Sequence, residues 1–116
     1  MPRDIHLASP RPLSLRDLVA AGAEVDETLV VRGLFHGTVL QLVDETDVAV
    51  VTIETSRLLV DPADALRIAP QLILPGGELW WTEATTPWGP GGTVGVSIAG
   101  ALARVLDGAM IVEDGS

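Results

Sequence analysis

Trp80 and Trp81 stand side by side in a segment, Glu78 to Pro87, that reads as a β-strand. Neighbouring strand residues point to opposite faces of a sheet. One core cannot receive both indoles, each of which carries about 200 Å² of surface. Either the sheet is buried on both faces, or one indole is held outside the main core. Other strand candidates raise the same difficulty. Val39 and Val43 share one face of their segment while Leu40 and Leu42 share the other. Val48 and Val50 likewise oppose Ala49, Val51 and Ile53. A sheet with helices on one side and water on the other should alternate apolar and polar residues. These strands alternate poorly.

The helices expected to cover such a sheet are few. Ser14 is a good N-cap with Asp17 three residues on, the pattern of a capping box. Leu15, Leu18, Val19 and Gly22 follow on one face, with Gly22 marking the end. Asp61 and Pro62 open a two-turn helix that Pro70 stops. Thr93 caps a longer helix with Val94, Ile98, Ala101, Leu102 and Val105 along one stripe and Gly108 at its C-cap.

Strands are expected at Asp4 to Ala8, at Thr28 to Phe35 with a bend between Gly33 and Gly37, and at Ala109 to Asp114. The clearest hairpin pairs Thr38 to Asp44 with Asp47 to Thr55, turned by Asp44, Glu45, Thr46 and Asp47. Ser56 to Val60 is expected to continue its second arm past a kink.

The order predicts an α+β fold. It is a mixed, mainly antiparallel sheet of five or six strands, with two longer helices on one face. The sequence β-α-β-β-β-α-β is related in outline to ferredoxin-like proteins. The alternative is a half-barrel curled around one helix. The 116 residues suit a single domain, residues 1–116.

Composition narrows the function. Formal charge is −9, and all seven cations are Arg. Nucleic-acid binding replaces counterions with cations, so direct nucleic-acid binding is not expected. The absence of Lys, Asn and Tyr fits the codon usage of a high-GC bacterium. With no Cys there is no disulfide, thiolate metal site or cysteine nucleophile. The N-terminus lacks an apolar signal-peptide core, and no run is long enough for a membrane span, so a cytoplasmic location is expected.

No catalytic constellation is visible. Trp88 to Gly95, WGPGGTVG, places glycines before a helix, but lacks the Lys and the spacing of a phosphate loop. His6 and His36 have no local metal-ligand spacing. Ser97 sits inside a helix, where its hydroxyl would bond a backbone carbonyl. Asp44, Glu54 and Glu83 are carboxylates near strands; an acid/base pair in a cleft is one reading of them, and solvated edge charges are the ordinary one. No cofactor or metal is expected.

The expected function is a non-enzymatic protein-interaction module. It binds itself or a partner through the sheet face that carries the tryptophan strand, with Trp80, Trp81, Glu83 and Trp88 as contact residues. One version is an acidic inhibitor or immunity-type protein covering a basic site. The alternative is a small-ligand sensor with its ligand between the sheet and Trp88 to Gly92.

Overall fold

The computed structural model describes residues 3–59 and 79–114. The expected short helix after Asp61 and the turn that follows it lie outside those residues. Seven strands and two helices occur among the described residues: β1 (Arg3–Ser9), α1 (Leu15–Val25), β2 (Val30–Leu34), β3 (Val39–Val43), β4 (Ala49–Glu54), β5 (Arg57–Leu59), β6 (Leu79–Thr86), α2 (Pro90–Val105) and β7 (Ala109–Asp114).

They form an α+β fold with one open sheet, ordered β2-β3-β4-β6-β1-β7, and β5 also pairs with β6. Each described pairing is antiparallel. Because β6 and β7 both run against β1, they are parallel to each other, and α2 connects them across β1. This is the split β-α-β unit of ferredoxin-like folds. The strand count exceeds the expected five or six because Arg57–Leu59 leaves the β3–β4 hairpin and pairs with β6.

Both helices cover one face. Ile5, Leu7, Leu42, Val51, Ile53 and Ala84 of the sheet pack against Leu18 and Ala21 of α1 and Ile98, Ala101 and Leu102 of α2. Val50 joins them although it neighbours Val51. The reason is a slip in the β3–β4 ladder: Leu42 pairs with Val51, but Val43 pairs with Ala49. Val50 is the extra residue of a β-bulge. Two consecutive valines therefore enter one core, and the pattern that suggests apolar residues on both faces has a local cause.

α1 begins with the expected capping box. Ser14 Oγ accepts from the Asp17 amide at 3.3 Å, and Asp17 Oδ2 accepts from the Ser14 amide at 2.9 Å. Arg11 adds a bidentate pair, with Nη1 and Nη2 donating to Asp17 at 2.8 and 2.9 Å. Arg11 also donates to the Val105 carbonyl at 3.3 Å, which ties the start of α1 to the end of α2.

The Arg11 guanidinium, helped by the Ser14 donors, holds the Asp17 carboxyl down at about 2. Since the folded value lies below the ordinary 3.8, the pair stabilises the fold above that pH, and the contribution is lost as pH falls through about 2. Urea titrations of wild type and Asp17→Asn should therefore differ most near neutral pH. The gap should narrow between about pH 4 and pH 2.

Three boundaries differ from expectation. α1 continues past Gly22 to Val25, because Gly22 is buried against Leu42 and an added Cβ would stand 2.9 Å from Leu42 Cδ1. α2 starts at Pro90 with Gly89 as its N-cap, so Thr93 lies inside the first turn. At the far end Asp107 takes the left-handed conformation, with φ of 52°, and the Gly108 amide donates to the Ala103 carbonyl at 2.8 Å. The hydroxyl of Ser97 bonds the Thr93 carbonyl at 3.2 Å, as expected inside a helix.

The expected bend after β2 is a 3-10 turn over Phe35–Gly37, with Phe35 and His36 both at positive φ. No described helix is long and apolar enough to cross a membrane.

Candidate functional site

Among the described residues, the sheet face opposite α1 and α2 is more polar than the sequence suggests. Strand alternation that sends Ile5, Ile53 and Ala84 to the helices sends His6, Thr52, Glu54 and Glu83 the other way. Across β2, β3 and β4 a polar ladder runs over this face. Arg32 donates to Gln41 Oε1 at 3.1 and 2.8 Å, and Gln41 Nε2 donates to Thr52 Oγ1 at 3.0 Å. Arg32 also pairs with Asp47 at 3.2 Å.

Towards β5, β1 and β7 the face turns apolar. Ala8, Leu79 and Trp81 form a second buried cluster, with Leu59, Ala109 and Ile111 packed against it. Register explains the grouping: Trp81 pairs with Ala8 on one side and Arg57 on the other, and Leu79 pairs with Leu59. The Trp81 indole is 1 % exposed. His6 stacks on it, with ring centroids 5.5 Å apart and planes 26° from parallel. The indole N–H points to Glu83 Oε1 at 3.4 Å, at the long end for a hydrogen bond.

The two adjacent indoles do diverge, as strand geometry requires. Trp80 lies on the helix side, half-buried, level with Ser9 and Leu58. Trp81 lies on the opposite face and is buried within the chain. Trp88 is 42 % exposed beyond the end of β6, with the Arg3 guanidinium 4.7 Å above its ring. The four expected contact residues therefore do not form one surface. Only Trp81 and Glu83 meet, and Trp81 does so as a floor.

What they border is a groove that sequence reasoning did not identify. β4 pairs with β6 over only two positions, Thr52 with Thr85 and Ile53 with Ala84. The chain then kinks at Thr55 and Ser56 before β5 resumes pairing at Arg57. The kink is anchored by Ser56 Oγ, which lies 2.6 Å from Thr82 Oγ1 and accepts from the Leu13 amide at 2.9 Å.

Where the ladder stops, a depression opens in the sheet. One part, about 330 Å³, is lined by Asp4, His6, Val39, Thr52, Glu54 and Glu83 among others. An adjoining part of about 350 Å³ shares Val39, Glu54 and Glu83 and reaches Arg57 and the edge of Trp81. Trp88 to Gly92 lie outside both parts.

The charge in this groove is one-sided. Both Glu54 and Glu83 line the groove, and the β4–β6 register continued by one step would set them opposite each other. Like charges directly opposite each other on a sheet repel. Asp4 adds a third carboxylate at the rim. Arg57 is the cation at hand, and it approaches Glu83 Oε1 only to 3.8 Å, with its side chain 62 % exposed. Glu113, on β7, pairs with His6 Nε2 at 3.3 Å. No His, Asp or Glu cluster among the described residues is arranged to hold a metal ion. Of the carboxylates weighed from the sequence, Glu54 and Glu83 are brought together here. Asp44 instead folds the β3–β4 turn, accepting from the Thr46 and Val48 amides at 2.9 and 3.0 Å.

Comparison with protein-family models, with curated proteins and with solved structures finds no match to this chain.

Proposed function

We propose that the chain is a non-enzymatic interaction module whose groove, on the sheet face opposite α1 and α2, receives a basic segment of a partner protein. The observation that carries this reading is a groove lined by both Glu54 and Glu83, with Asp4 at its rim and Arg57 only loosely opposed. A guanidinium or ammonium between the two carboxylates would relieve their repulsion and add charge-assisted hydrogen bonds.

A second copy of the chain suits this groove less well, because two such faces would bring carboxylates against carboxylates. The net charge of −9 works in the same direction, speeding encounter with a basic protein. An inhibitor that covers a basic site is one protein of this kind.

The test is the binding of a capped hexa-arginine peptide, followed by calorimetry at low salt. The double variant Glu54→Gln/Glu83→Gln should bind it about tenfold more weakly than wild type. Glu24→Gln, which alters a surface pair with Arg104 elsewhere, should leave binding unchanged. Equal affinity of the double variant and wild type would contradict the reading.

A further inference from the structure

The acidic groove does not stop at the edge of β4. Leu40 pairs with Ile53 and Val39 with Glu54 at the end of the β3–β4 ladder. Just past that rung the Thr55 hydroxyl donates to the Thr38 carbonyl at 2.6 Å and ties the two strand ends together. Leu40 and Ile53 turn to the helices, while Val39 and Glu54 line the groove. On the helix side of this rim lies a third depression, of about 310 Å³, which shares Thr38, Glu54 and Thr55 with the acidic part.

The walls of this depression are apolar. Leu13 and Leu15 stand at the start of α1, with Leu40 and Ile53 behind them, and Glu54 supplies charge at the shared rim. The Ser56 hydroxyl accepts from the Leu13 amide at 2.9 Å and lies 2.6 Å from Thr82 Oγ1, so the entry to α1 is tied to β6 across the kink. Leu15 is 55 % exposed. Ser14 and Asp17 make the capping box that starts α1, so the helix does not need a leucine there. Covering that side chain would be favourable.

We infer that the two parts together read a two-part motif: a basic side chain in the acidic groove and, next to it in the partner's chain, a large apolar side chain between Leu13, Leu15 and Ile53. This rests on the docking reading above and names the partner's chemistry more closely.

Charge complementarity selects the occupant. A cation beside Glu54 brings the partner's backbone to the rim at Thr38 and Thr55, where the neighbouring side chain meets the apolar walls. Exposed charge pairs are screened by salt and do little to fix position. Apolar burial is not screened, and an anchor in the depression sets the register of the segment. A purely basic segment fills one part and leaves the other in water.

The experiment compares two capped peptides of equal charge by calorimetry. Both contain hexa-arginine. One carries a leucine pair at each end and the other an alanine pair, so the result does not depend on chain direction. Wild type should bind the leucine peptide about tenfold more tightly. Leu15→Gln, which changes an exposed side chain, should cut that ratio to about threefold or less and leave the affinity for the alanine peptide unchanged. Val19→Gln replaces another exposed apolar residue of α1, outside the depression, and should keep the full ratio.

Equal affinity of the two peptides, or a ratio that Leu15→Gln leaves intact or that Val19→Gln lowers as much, overturns the apolar anchor while leaving the acidic groove standing. Binding of neither peptide overturns the docking reading and this inference with it.

Discussion

Trp81→Ala is expected to destabilise the fold by about 3–5 kcal/mol, the cost typical of emptying a large aromatic site in a core. The indole is 1 % exposed and sits at the centre of the cluster with Ala8 and Leu79. Its loss also removes the ring against which His6 is stacked. The total stability of a domain this size is about 5–15 kcal/mol, so the variant keeps only part of its margin. Urea unfolding followed by circular dichroism measures the difference. Trp88→Ala serves as the comparison. Trp88 is 42 % exposed, and its replacement should cost less than about 1 kcal/mol. Equal losses in the two variants would show that Trp81 does not hold the second cluster together.

The second large effect is expected at a residue with no side chain. Gly95 is buried in α2, where the helix crosses the bulged part of β4. A Cβ at this position would run into the Val50 carbonyl oxygen and the side chain of Thr86. The obstacle is largely backbone, so no rotamer change relieves it. Gly95→Ala should lift α2 from the sheet and cost about 3 kcal/mol or more, despite the higher helix propensity of alanine. Gly100→Ala is the control within the same helix, since its added Cβ would meet only Met110 Cε at 4.0 Å. There the propensity gain should leave stability unchanged or raise it by up to about 1 kcal/mol. A loss at Gly100 equal to that at Gly95 would mean that close approach at Val50 is not the cause.

Local signals in the sequence translate well into structure. Ser14 and Asp17 announce the start of α1, and both halves of their capping box form. Asp44 to Asp47 announce the β3–β4 turn, and the Asp44 carboxylate organises it. Gly33 and Gly37 mark the bend, although the left-handed residues include Phe35 and His36. What the sequence conceals depends on contacts between distant segments. The bulge at Val50 exists only relative to β3, and it makes a one-sided strand look two-sided. The second cluster needs Ala8, Leu59, Leu79 and Ala109 to be brought beside Trp81 by four different strands.

The groove is the least legible feature. Glu83 stands out beside Trp81 and Glu54 near the end of a strand, but they are far apart in the chain and nothing local places them in one groove. They line one groove because β4 and β6 pair for two positions and then part at Ser56. Trp80 and Trp88 stand out in the sequence as aromatic residues. The chain places one on the helix side and the other beyond the end of β6.

The proposed docking site for a basic partner is the groove at the break between β4 and β6, on the sheet face opposite α1 and α2. Amide shift mapping of the labelled protein with the capped hexa-arginine peptide tests it most directly. The account predicts saturable shifts concentrated at Asp4, His6, Thr52, Glu54 and Glu83, with α1 and α2 unmoved. Shifts spread evenly over the acidic surface, or centred on the helices, would contradict it.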